Sequence, residues 1–148
     1  MLTEREILTV KEALQINPVT LAFVGDTVYS LYVRERLALS GCGKVGQLQK
    51  VAAQVVSAKG QSEFLDKVLP MFTEEEADVF RRAKNAKKAT KSKSATSLEY
   101  SRSTGFEAVL GYLYLTGREE RIKELLSASD GAAFEIKENV TVFKPIRR

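Results

Sequence analysis

Residues 105–115 read GFEAVLGYLYL, and Glu107 is the only charge between Ser103 and Gly117. An ionised carboxylate loses its hydration on burial, and a neutral one needs a raised pKa, so a lone acid in an apolar run calls for compensation. The same anomaly occurs earlier in the chain. Residues 17–33 read NPVTLAFVGDTVYSLYV, with Asp26 as the only charge. Each acid also has glycine for company: Gly25 precedes Asp26, and Gly105 and Gly111 flank Glu107. Glycine inside a helix costs about 1 kcal/mol against alanine, which suggests close approach by another backbone or a ligand.

Composition narrows the chemistry that two such acids can serve. The chain has 148 residues, one domain's worth, and can bury a sizeable core without staples. Its single cysteine, Cys42, excludes an internal disulfide framework and points to a reducing, cytoplasmic setting. Histidine is absent, which excludes Ser-His-Asp and Cys-His nucleophile pairs and HExxH zinc sites. The start MLTEREILTV has no long apolar core, so no secretory leader is expected. Nor is a membrane span, since Asp26 and Glu107 would lie at the centre of any candidate.

Helix signals follow one another along the chain. A Thr3–Glu6 capping box opens a first helix, about 4–15, and Asn17-Pro18 starts a second that runs to about Ser40. Apolar residues go nearly all round this second helix, as in a central helix covered on several sides. Further helices are expected over about 44–58, 61–69, 74–86, 98–115 and 118–127, with Thr73–Glu76 as a capping box and Ser97 as an N-cap. Between them, KKATKSKSATS at 87–97 reads as a mobile basic loop. The tail from Phe134 alternates, as a small hairpin, a disordered extension or a vector-derived remnant would. The fold class is therefore all-α, a single helical-bundle domain over 1–127 with an extension of unknown role at 128–148.

Structural readings stand beside the functional ones. Asp26 suits a helix N-cap, and Glu107 suits a core acid paired with Arg34, Arg36 or Arg102. If instead both face one gap, they repel unless a cation sits between them. Oxygen-only ligands of this kind suit Mg²⁺, which can activate water and neutralise charge on a phosphodiester. The acidic cluster EEEAD at 74–78 resembles a metal site of helical nucleotide pyrophosphatases, but its place after a capping threonine favours helix-dipole stabilisation. Seven basic residues and no acid fall between 81 and 93: Arg81, Arg82, Lys84, Lys87, Lys88, Lys91 and Lys93, with Asn85 among them. This is either a solvated surface or the footprint of phosphate-backbone binding, and without aromatics it fits shape-based recognition of a duplex.

LAFVGDTVY at 21–29 resembles the signature segment of ribonuclease III catalytic domains, and GFEAVLGYLYL their second metal-binding segment. With RRAKNAKKATKSK and the chain length, the likeness, over about residues 10–126, is to the Mini-ribonuclease III branch. The resemblance implies an all-α homodimer that cleaves double-stranded RNA with Mg²⁺, leaves 5′-phosphate and 3′-hydroxyl ends, and trims precursor of 23S ribosomal RNA in the bacterial cytoplasm. A ribosomal protein on the substrate is a further candidate partner. By position, Asp26 and Glu107 are the catalytic and metal-binding acids, and the basic residues with Asn85 contact RNA. The larger enzymes carry an acid where this chain has Ala22 and another where it has Thr104, which leaves fewer direct ligands. Val24, Val28 and Leu31 are expected to supply part of the dimer interface. Two other classes stay open: a non-catalytic helical RNA-binding protein, favoured by Ala22 and Thr104, and an all-α nucleotide pyrophosphatase using Glu74, Glu75, Glu76 and Asp78.

Overall fold

The computed structural model describes residues 5–40, 43–87, 96–129, 134–136 and 141–143. The helices are α1 (Val10–Leu14), α2 (Pro18–Leu39), α3 (Val45–Val56), α4 (Ala58–Val68), α5 (Glu74–Asn85), α6 (Ser97–Leu115) and α7 (Glu119–Leu126). Short 3₁₀ turns follow α4 and α7. Two short strands, β1 (Phe134–Ile136) and β2 (Thr141–Phe143), pair antiparallel with Phe134 opposite Phe143, and β1 lies beside α3. The fold is all-α with this hairpin appended, the first of the three forms expected of the tail.

α6 is the axis of the bundle. From Ser103 onward it is uncharged apart from Glu107, and Ser103–Phe106 and Ala108–Leu113 are all buried. Helices α2, α4, α5 and α7 pack around it. The α2–α6 crossing is set by Gly25 and Gly111. A Cβ on Gly25 would lie 1.6 Å from the Glu107 carbonyl oxygen, and one on Gly111 would lie 1.9 Å from that of Leu21. The two helices thus meet backbone to backbone, which only glycine permits here. Gly105 serves α5 instead, where a Cβ would strike the Phe80 ring. Beside the crossing, the Tyr29 and Phe64 rings each stand nearly perpendicular to Phe106, with centroids 5.1 and 5.7 Å away.

α2 is less enclosed than its composition suggests. Leu21, Ala22, Gly25, Val28, Tyr29, Val33 and Leu37 are buried, but Phe23, Asp26, Thr27 and Leu31 are exposed. Val28 therefore belongs to the chain's own core and not to the interface face expected of it. The open stripe holds Phe23 at 78 % exposure.

Three helix starts differ from expectation. Residues 5–9 are not helical, and the box that closes is Thr9–Glu12, with Thr9 N–H donating to Glu12 at 2.9 Å and Glu12 N–H to Thr9 at 3.1 Å. Thr3 lies outside the described residues. The tertiary contacts decide between these two similar boxes: Leu8 N–H donates to the Leu115 carbonyl, and Arg5 lies on the Tyr114 ring and pairs with Glu119, holding 5–9 off the helical path. α6 starts one residue early because Thr96, not Ser97, forms the box with Glu99. α4 starts at Ala58 because Ser57 caps it through the Gly60 N–H.

Candidate active site

The glycine crossing places Asp26 beside Glu107. Asp26 follows Gly25, and Gly25 lies against the Glu107 backbone, so the two carboxyls come within hydrogen-bonding reach on the α2–α6 seam. Asp26 is mid-helix, eight residues after Pro18, the first residue of α2, so it is not an N-cap. It is exposed, and Glu107 is half-buried. Burial, then the hydrogen bond and charge of Asp26, push the Glu107 carboxyl up to about 8, while the Gln61 hydrogen bond pulls the other way.

None of the three arginines considered as partners pairs with Glu107. Arg102 donates to the Ser62 hydroxyl at 2.7 Å, to the Ser62 carbonyl at 2.9 Å and to Asp66 at 2.5 Å. Arg34 donates to the Ser30 hydroxyl at 3.2 Å, and Arg36 lies over the Tyr32 ring. The partner is a neutral amide: Gln61 Nε2 donates to Glu107 Oε2 at 3.1 Å. Nothing in the sequence singles out Gln61, because its importance depends on α4 being docked against α6. Ala22 and Thr104 are both buried, and the Thr104 hydroxyl donates to the Tyr100 carbonyl of its own helix. Among the described residues no third acid, cysteine or histidine joins the pair in a metal-binding group.

The other acidic and basic clusters are placed differently. Thr73 and Glu76 form the expected capping box. Glu75 accepts from Arg118 and from the Tyr112 hydroxyl, both at 2.7 Å, and Asp78 pairs with Arg81. Glu76 accepts the Arg121 fork through both oxygens at 2.8 Å. Burial alone would raise the Glu76 carboxyl, but Arg121 and the Thr73 N–H hold it below its ordinary value. Three of the four acids proposed for nucleotide pyrophosphatase chemistry thus serve the scaffold. Arg81, Arg82, Asn85 and Lys87 are exposed, and Lys84 is half-buried at the end of α5. Lys88, Lys91 and Lys93 lie outside the described residues. Phe80, just before Arg81, packs on Gly105, two residues from Glu107, which ties the start of the basic stretch to α6.

The raised Glu107 carboxyl makes stability depend on pH. The folded chain holds that proton more tightly than an unfolded one does, so the benefit is complete below about 4.5 and is lost as pH rises through about 8. Glu107→Gln keeps the shape without titrating. In chelator-treated protein it is expected to melt like the parent near pH 5 and to be more stable at pH 9 by about 3 kcal/mol. That is below the roughly 5 kcal/mol of the full shift, because water reaches the carboxylate. Thermal unfolding across that range checks it.

No helix among the described residues is long and apolar enough to cross a membrane. A family profile described as Ribonuclease III domain matches residues 19–118. A Mini-ribonuclease 3 of Symbiobacterium thermophilum is 47 % identical over 78 % of this chain and 89 % of its own length. Another, of Thermoanaerobacter sp. (strain X514), is 41 % identical over 86 % of this chain and 90 % of its own. A crystal structure of a Fusobacterium nucleatum protein superposes with a TM-score of 0.69 at 34 % identity, covering 76 % of this chain and 90 % of that one. The matched span contains both lone acids and the two glycines that bring them together, and the chain belongs to the Mini-ribonuclease 3 family, endoribonucleases built on the ribonuclease III domain.

Proposed function

We propose that this endoribonuclease hydrolyses double-stranded RNA, using Mg²⁺ held by Asp26 and Glu107, and that it matures the 23S ribosomal RNA precursor in the cytoplasm. The observation that carries the proposal is the acid pair itself: two carboxyls brought together by a glycine crossing, with no described arginine or lysine bonded to Glu107. Two like charges in partial burial are costly together, and their oxygen donors suit a hard divalent ion that retains several waters. When bound, Mg²⁺ supplies an activated water and neutralises charge on the scissile phosphate. Asp26, on the exposed side of the seam, faces the incoming backbone, while Glu107 holds the inner position. Products with 5′-phosphate and 3′-hydroxyl ends follow from attack by water at phosphorus with departure of the 3′ oxygen.

One acid pair per chain cuts one strand, so cleavage of both strands calls for a two-fold dimer. The exposed α2 stripe of Phe23, Thr27 and Leu31 supports that arrangement. It replaces the Val24–Val28–Leu31 face, since Val28 is buried. The catalytic unit is assigned to residues 1–127, with 128–148 an extension. A ribosomal protein on the substrate remains a candidate partner.

The stretch from Arg81 to Lys93, with Asn85, is assigned to the RNA backbone. Replacing Lys87, Lys88 and Lys91 by alanine is expected to weaken duplex binding and to flatten the dependence of log K on log salt by about 2–3. Fluorescence anisotropy at several salt concentrations checks this; an unchanged slope would remove these lysines from the RNA interface. The proposal as a whole is tested by incubating the protein with a long RNA duplex, with and without Mg²⁺. Mg²⁺-dependent cutting of the duplex supports it; binding without cutting would favour a non-catalytic RNA-binding protein.

A further inference from the structure

We propose that Gln61 is the positioning residue for Glu107: its neutral amide fixes one carboxylate oxygen and leaves the carboxylate's charge to the cation shared with Asp26. This rests on the function proposed above.

The amide is held from several directions. Ser57 caps α4 through the Gly60 N–H at 3.0 Å, and the Gln61 N–H donates to the Ser57 carbonyl at 2.9 Å. Gly60 lets the α3–α4 corner close, since a Cβ there would lie 2.3 Å from the Gln54 carbonyl oxygen. Gln61 is then only 2 % exposed. Its Nε2 donates to the Val56 carbonyl at 2.8 Å and to Glu107 Oε2 at 3.1 Å. Both Nε2 hydrogens are committed to oxygen acceptors, so a flipped amide would set oxygen against oxygen. Arg102 clamps the same two helices from the next residue along α4, through Ser62 and Asp66.

The neutrality of the donor is what points to a role toward a cation. An arginine or lysine in this place would orient Glu107 equally well, but it would neutralise the carboxylate and compete with a divalent ion. An amide orients without neutralising. Outer partners of this kind set the direction of a metal-binding carboxylate, and their loss typically costs 10–100-fold in metal affinity. The Val56 bond also gives Gln61 a purely structural use, as a cap on the end of α3, so the test must separate the two.

Mn²⁺ binding to the full-length protein, read by electron paramagnetic resonance, separates them. Three variants are compared with the parent: Gln61→Met, which keeps the volume without the amide; Gln61→Asn, whose shorter amide cannot serve both acceptors; and Ser62→Ala, which loosens the Arg102 clamp without touching Glu107. The Gln61 variants are expected to bind Mn²⁺ 10–100-fold more weakly and to shift the Mg²⁺ midpoint of cleavage upward by a similar factor. Their duplex affinity in EDTA is expected to stay within about twofold of the parent. Ser62→Ala is expected to melt earlier yet bind Mn²⁺ as the parent does. Should Gln61→Met fail to fold, Gln61→Asn decides. Parental Mn²⁺ affinity in the Gln61 variants, or a loss in Ser62→Ala that tracks its melting point, would overturn the assignment. A parent protein that binds no Mn²⁺ and cuts without Mg²⁺ would instead remove the proposed function beneath it.

Discussion

Alanine at position 25 or 111 is expected to abolish cooperative folding. The added Cβ would lie 1.6 Å from the Glu107 carbonyl oxygen in the first case and 1.9 Å from the Leu21 carbonyl oxygen in the second. Both obstacles are backbone, so no rotamer change relieves them, and α2 and α6 must move apart along their whole contact. Overpacking ordinarily costs about 1–3 kcal/mol, and forced separation of the two longest helices, which cross at the core, exceeds that range. A loss above about 5 kcal/mol matches the entire stability of many single domains. Gly46 supplies the control. A Cβ there meets nothing within 4 Å, so Gly46→Ala is expected to be neutral or to gain up to about 1 kcal/mol from helix propensity. Circular dichroism melts of the three variants check the contrast. A parental melt for Gly25→Ala would mean that the helices do not cross where described.

The second large effect is on catalysis. Asp26→Ala and Glu107→Ala are each expected to lower duplex cleavage by at least about 10³-fold, since each removes one of the two proposed ligands and, among the described residues, no third acid stands by. Folding should survive. Asp26 is exposed, and loss of the Glu107 carboxylate removes a repulsion as well as the Gln61 bond. Binding of an RNA duplex in EDTA should stay within a few-fold of the parent, because the basic stretch is untouched. Cleavage rates under single turnover, with anisotropy for binding, separate the two quantities. Parental cleavage by either variant would remove the acid pair from the chemistry.

Much of this site is visible in the sequence because it breaks local rules. A lone acid in each of two apolar runs, with glycines at helix-breaking cost, has no local explanation, and the α2–α6 crossing is the tertiary one. The open face of α2 was not visible. Apolar residues surround that helix, so composition does not tell Val28, which is buried, from Phe23, which is exposed. The first helix start was ambiguous for a similar reason. Thr3–Glu6 and Thr9–Glu12 are equivalent boxes until Leu8 and Arg5 find their partners on α6 and α7. Gln61 is invisible in the sequence because an amide has no periodicity or charge to mark it. Electrostatics alone points to an arginine as the partner of Glu107, whereas Arg102 is spent on Ser62 and Asp66.

All of the proposed chemistry depends on one divalent ion lying between Asp26 and Glu107. Anomalous diffraction from crystals soaked in Mn²⁺ tests this most directly. The expected result is a peak bridging the two carboxylates in the parent protein and absent in Asp26→Asn. A peak confined to the Glu74–Asp78 cluster, or no peak at a concentration that supports cleavage, would contradict it.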